Sequence, residues 1–299
     1  MPSTHIICPI CNKNHVELFL HCTDYSLTQT PFDIVSCLDC HLQFTNPIPS
    51  KEEIVPYYQF PAYISHTDVK EGWMNNLYHR VRSHTLIQKT NWVQSLFTGH
   101  KGHILDIGAG TGAFANAMVQ KDWKVTALEP DEASRKRAAV NYGLNVLTPD
   151  TLYNLPPQSF DVITLWHVLE HVHDLKAYMV AFTKLLKYNG RLIIAVPNHT
   201  SYDAAYYKAF WAAYDVPRHL YHFTPASLQM LCKQHQMQIV QYKPMWFDSF
   251  YVSLLSEKYK QSGLFGILRA FVVGCISNLY AWRNAQKASS IIYEIKKIG

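Results

Sequence analysis

The chain has 299 residues, 48% of them hydrophobic, which suits one large domain or a main domain with small additions and excludes a mostly disordered polypeptide. Its formal charge of +5 is unevenly placed: beyond Phe250 seven bases (Lys258, Lys260, Arg269, Arg283, Lys287, Lys296, Lys297) face only Glu257 and Glu294, so residues 1–250 are neutral. That distribution excludes a generally basic nucleic-acid face, and Met1–His5 lacks the charged and apolar regions of a signal peptide, so a cytoplasmic location is expected.

Residues 1–50 carry Cys8-Pro9-Ile10-Cys11 and Cys37-Leu38-Asp39-Cys40. Each C-x-x-C can form a knuckle whose two thiolates chelate one ion, and two knuckles complete a tetrahedral Cys₄ site. Seven cysteines in a reducing compartment point to metal rather than disulfides. Cys8, Cys11, Cys37 and Cys40 are therefore the expected ligands of a structural zinc, in a zinc-ribbon-like module too small to bury enough apolar surface alone. The residues between the knuckles suit a short hairpin, and Asn12 suits a left-handed turn. Cys22, His15, His21 and His41 are alternative ligands.

Residues 51–98 form an aromatic connector followed by a helix, since apolar residues recur at helical spacing from Trp73 to Phe97 without glycine or proline. The core is expected over 99–245. Strands are predicted at 103–108, 124–129, 145–148, 160–166, 190–196 and 238–244, and helices at 112–122, 131–142, 174–188 and 224–236. Such alternation means a parallel sheet wrapped on both faces, an α/β Rossmann-like arrangement. Residues 246–299 are read as a helical tail, basic and apolar.

Within the core, His103-Ile-Leu-Asp-Ile-Gly-Ala-Gly-Thr-Gly-Ala113 reads as a buried strand entering a glycine turn and then a helix. Such a turn lets backbone approach a ligand closely. Asp106 precedes the first glycine by two residues, and Glu129 ends the next strand, where α/β nucleotide sites place a carboxylate for ribose hydroxyls. Gly108-x-Gly110-x-x-Ala113 also fits a dinucleotide fingerprint, which keeps an NAD-dependent oxidoreductase as an alternative. An acid just upstream opposes a pyrophosphate at the helix start and suits a cation. A non-catalytic zinc-ribbon adaptor is the second alternative.

Asp106, Gly108, Gly110 and Gly112 in D-x-G-x-G-x-G spacing, with Phe160-Asp161-Val162-Ile163 and Val168-Leu169-Glu170-His171-Val172, resemble class I S-adenosylmethionine-dependent methyltransferases, of which the zinc-containing sugar C-methyltransferases are similar in layout. The resemblance covers about 75 to 245. It implies a doubly wound seven-stranded sheet with one reversed strand and a small-molecule acceptor: a sugar, nucleotide-sugar or lipid-linked glycan. It assigns Asp106, Gly108, Gly110 and Gly112 to the methionine and sugar part of the cofactor, Glu129 to the ribose, and Asp150 or Thr151 to the adenine. His167, at the exit of the fourth strand, is a candidate for cofactor contact and for catalysis. His167 to His171 also spells H-x-x-E-H, but the metalloprotease reading needs a long helix that this segment lacks. Between the fifth strand and the next helix, 215–225 reads as a lid whose Thr224 caps a helix opened by Pro225. Matching by position gives Tyr63, His219 and Tyr221 to the substrate, with His219 a candidate base.

The apolar run 264–282 approaches membrane-spanning length. Packing on the core or a second subunit, lying in a membrane interface, and spanning are its three readings; the second would give a peripheral contact at the inner membrane face through 264–299.

Overall fold

The computed structural model describes residues 6–58, 73–97 and 101–298, with side chains of the first helix from 81 onward. They gather into two compact units. One comprises Met1–Phe60, His167–Val180 and Ile194–Ile298, and the other Pro61–Trp166 and Ala181–Ile193.

The second unit follows the predicted alternation. Helix α1 (Trp73–Ser95) precedes strand β4 (His103–Ile107), α2 (Ala113–Val119), β5 (Lys124–Leu128), α3 (Glu132–Tyr142), β6 (Val146–Leu147) and β7 (Phe160–Trp166). Every residue of β7 except Trp166 is buried, as in parallel strands covered on both faces. The capping chemistry is local: Asp131 accepts from the Ser134 amide at the start of α3, and Gly143 ends the helix at φ 67°.

Beyond β7 come α4 (Leu175–Leu185), β8 (Leu186–Pro197), α5 (Tyr202–Tyr207), the short β9 (Tyr221–His222), α6 (Pro225–Gln234), β10 (Met237–Pro244), α7 (Asp248–Tyr259), α8 (Gly263–Arg283) and β11 (Ser290–Lys297). The seven-stranded sheet has the order β10-β11-β8-β7-β4-β5-β6. β4 pairs in parallel with β5 and β7, β5 with β6, and β10 runs antiparallel to β11. The seventh strand is therefore β11, inside the segment expected to be helical throughout. Its Ile291, Ile292, Tyr293 and Ile295 are buried, which draws the chain end into the sheet.

In the first unit, β1 (Val16–Thr23) and β2 (Pro31–Cys37) form the hairpin anticipated between the cysteine knuckles, and β3 (Gln43–Asn46) joins them. The sheet continues into β9, with Phe44 opposite Tyr221. The amino-terminal module and the lid segment thus share one four-stranded sheet.

Candidate functional site

The order β6-β5-β4-β7 reverses direction at β4, because the chain builds outward to β6 and returns to β7 on the other side. Ligands of open α/β sheets gather at the carboxyl ends of strands flanking such a point. Asp106 stands there on β4, opposite Thr164 of β7. It is 1% exposed, and the Thr164 hydroxyl donates to its Oδ1 at 2.7 Å. Burial pushes its carboxyl up to about 7, against the opposing pull of Thr164 and Lys89.

The turn that follows depends on glycine. Gly108, Gly110 and Gly112 have φ of 70°, 54° and 82°, a region that costs other residues about 1 kcal/mol or more. The amides of Gly108 and Ala109 both donate to the Leu128 carbonyl, tying the turn to the end of β5. Glu129 completes the arrangement: its Oε2 accepts from the Gly110 amide at 2.8 Å and its Oε1 from the Asp131 amide at 2.9 Å. Burial raises its carboxyl, and those two amides counter the rise. Asp150 and Thr151 open a 3₁₀ turn just beyond β6, and the Glu129 amide donates to Leu147 of that strand. Thr148 occupies the cap position of this turn. Asp106, Gly108, Gly110, Gly112, Glu129, Asp150 and Thr151 are thus assembled at adjacent strand ends, as the sequence suggested.

Two observations show that this place leaves room and a free donor for a ligand. A Cβ built on Gly110 would meet nothing within 4 Å, so the turn faces open space. At the end of β7, Trp166 keeps a buried indole N–H without a hydrogen-bond partner. Phe114 packs on that ring at 5.3 Å and the Lys89 ammonium stands 4.3 Å from its centre. Lys89 and Thr164 carry no motif, so sequence reading missed them.

In the first unit, His167 has φ 57° and lies between two carboxylates, Nδ1 3.4 Å from Glu170 and Nε2 3.2 Å from Asp248. Burial opposes its charge, yet Asp248 and Glu170 prevail and push the imidazole up to about 9. His167, the candidate for cofactor contact and catalysis, is thus held between two acids that favour its charged form. Glu170 is fully buried, and neither of its oxygens has a hydrogen bond of good geometry. Glu170, His171 and His219 offer ligand atoms all within 4.8 Å of one another, a set that could hold a metal ion. Burial and the neighbouring His219 lower His171 to about 4, so it is neutral; its Nδ1 faces the Arg218 carbonyl at 2.9 Å.

His219 donates from Nδ1 to the Ala213 carbonyl at 2.9 Å, which leaves Nε2 as the lone-pair nitrogen, 4.0 Å from Asp215. Tyr221, assigned to the substrate, is 3% exposed, and its hydroxyl donates to the His173 carbonyl at 3.2 Å. Burial pushes that phenol up to about 12. Tyr63 lies outside the described residues. Thr224 caps α6 as expected, with a reciprocal bond to Ser227 and Pro225 at the first turn. Arg218, which sequence reading passed over, is 1% exposed and binds Asp24 at 3.0 Å and Asp215 at 2.6 Å, joining the β1–β2 turn to the lid.

The four cysteines expected to bind metal converge. Cys8 and Cys40 sulfurs are 3.4 Å apart, Cys11 and Cys37 3.5 Å, and all four lie within 4.8 Å of one another. The Asn12 and His41 amides donate to Cys8 and Cys37 carbonyls, and both residues are left-handed, at φ 60° and 58°. The knuckles are therefore matched, with asparagine foreseen in one and histidine unforeseen in the other. The alternative ligands lie elsewhere: His15 pairs with Asp39, His21 with Asp33, and buried Cys22 faces the Ala209 carbonyl.

A methyltransferase-domain family model matches residues 78–242, more than half of the chain, and the chain belongs to that family. It is an S-adenosylmethionine-dependent methyltransferase acting on a small molecule. Among relatives, a ubiquinone biosynthesis O-methyltransferase of Idiomarina loihiensis is 28% identical over 168 residues, 52% of this chain and 69% of the relative. Its namesake in Paracidovorax citrulli is 26% identical over 190 residues, 58% and 77% of the two chains. Among solved structures, magnesium protoporphyrin IX methyltransferase from Synechocystis with bound SAH superposes with a TM-score of 0.55 at 13% identity, covering 83% of this chain and all of that one. The 1,6-didemethyltoxoflavin N1-methyltransferase of Burkholderia thailandensis gives 0.50 at 15% identity, with 88% and 98% covered. These two likenesses concern the fold.

Proposed function

We propose that this chain transfers the methyl group of S-adenosylmethionine to an oxygen of a quinone-type phenolic acceptor, and that Cys8, Cys11, Cys37 and Cys40 hold a structural zinc. The observation that carries the reading is the acid-flanked glycine turn inside a matched methyltransferase domain. Bound there, the cofactor supplies an electrophilic methyl carbon on a good leaving group. Asp106 would hold its cationic part, Glu129 the ribose hydroxyls, and Asp150 or Thr151 the adenine. The dinucleotide and adaptor alternatives lack such support.

Sugar acceptors were the sequence-level expectation; the relatives named for ubiquinone biosynthesis favour a phenol instead. An acceptor hydroxyl must lose its proton as the carbon–oxygen bond forms. We assign that proton to Nε2 of His219, whose Nδ1–H is fixed on Ala213. Glu170, in the same cluster, would stabilise the resulting imidazolium. Replacing His219 by Ala should lower kcat by roughly 10²–10⁴-fold and leave S-adenosylhomocysteine affinity unchanged.

The test is an assay with isotopically labelled methyl donor against catechol-type phenols and, in parallel, nucleotide sugars. Label on the phenol oxygen supports the proposal. Label on a sugar carbon with none on phenols overturns the acceptor assignment and leaves the methyltransferase class intact.

A further inference from the structure

Helices α7 and α8 form an antiparallel pair built inside out. An ordinary surface helix turns its large apolar residues inward and its polar ones to water. On α8 the buried positions are Gly266, Ala270, Val273, Gly274, Ser277 and Ala281, five of the six being small or hydroxylated. At 3.6 residues per turn these fall on one face. The opposite face carries Leu264, Leu268, Phe271, Leu279 and Trp282 along the whole helix with no charge among them. Leu264 is 86% exposed, Phe265 84% and Trp282 75%. Helix α7 repeats the inversion: Ser249, Ser253 and Ser256 are buried while Tyr251 and Leu254 are exposed.

The contact between the helices is correspondingly close and polar. A Cβ on Gly274 would stand 2.5 Å from the Phe250 ring, so only glycine fits there. The Ser249 hydroxyl reaches the Gly274 carbonyl at 3.3 Å and Asn278 at 3.1 Å, and on the same buried face of α8 Ser277 donates to Asp203 of α5 at 2.6 Å. Small residues and hydroxyl hydrogen bonds at the interface, with large apolar side chains outside, are how helices pair when their surroundings are lipid rather than water. A contiguous apolar face of this kind marks an interaction surface.

We infer that the outer face of α8 and the adjoining part of α7 seat this protein in the interfacial layer of an anionic lipid bilayer. Charge supports lipid over a protein partner. Exposed Lys258, Lys260, Arg283 and Lys287 stand at the two ends of α8, Glu257 is buried and neutralised by Arg269 at 2.5 Å, and the chain before residue 251 has no net charge. Helix α8 is also long and apolar enough to cross a membrane. Its inner face is covered within the first unit, with Tyr280 stacked on Tyr202 at 5.4 Å and Ser277 bound to Asp203, so it lies along the surface.

Flotation of the full chain with phosphatidylcholine vesicles containing about a third phosphatidylglycerol tests this. The protein should float with these vesicles and bind pure phosphatidylcholine at least tenfold more weakly. Phe265→Asp with Leu268→Asp should cut flotation at least tenfold while the thermal transition and S-adenosylhomocysteine affinity stay unchanged. Lys258→Ala with Arg283→Ala should weaken partitioning about 25-fold at low salt. Absence of flotation at any composition would overturn the inference. So would flotation that survives the aspartate pair, or a dimer that those aspartates dissolve without any vesicle binding.

Discussion

Asp106 shows how a single side chain can couple ligand affinity to pH. Its folded-state pKa of about 7 lies above the ordinary carboxyl value, so the ligand-free fold holds a proton that the unfolded chain releases. The stability this contributes is present at low pH and falls as pH rises from about 4 through about 7. A cationic ligand beside the carboxylate reverses the preference, so affinity for S-adenosylmethionine should increase as pH rises through about 7. Calorimetric titrations at several pH values check this, and Asp106→Asn should lower affinity at least tenfold and remove the pH dependence. Gly110→Ala separates space from strain. Nothing crowds a Cβ there, so stability should fall only by about 1 kcal/mol, the left-handed penalty, whereas cofactor affinity should fall much further because the methyl group occupies the open space. Denaturant titration and calorimetry on one variant give both numbers.

Among the elements, β9 carries the least expected consequence. Because it extends the sheet of β1, β2 and β3, the four-cysteine module and the lid are mechanically one structure. Chelation should therefore loosen residues 43–46 and 221–222 together with the knuckles, seen as loss of amide protection in all three places by hydrogen exchange. Arg218 locks the same assembly, and Arg218→Met leaves buried Asp24 and half-buried Asp215 without their partner. A loss of about 3–5 kcal/mol is expected by urea denaturation. The strands and helices of the second unit were legible in the sequence because apolar periodicity and the glycine turn are local signals. β9 has two residues and no period, and Arg218 works through Asp24, 194 positions away, so neither leaves a local trace. β11 was legible in principle from Ile291-Ile292-Tyr293, but the lysines around it and the preceding helix hid it in an apparent tail. The carbonyl partner of Tyr221 left no trace either, because residue type and position cannot show where a hydroxyl donates.

Across the whole molecule, charge and chemistry are separated along the chain. The neutral first 250 residues hold the acid-flanked glycine turn, the cysteine cluster and the buried histidines. The carboxyl-terminal segment carries all of the net charge and the exposed apolar helix face, and it also completes the sheet through β11. The proposed methyl transfer requires a positively charged methyl donor in the bend between β4 and α2. The most direct check is a crystal structure with S-adenosylhomocysteine, the donor's product. It should lie across Gly108 to Gly112 with its ribose hydroxyls on Glu129. A molecule bound away from that bend, or a dinucleotide taken up there in preference, would contradict it.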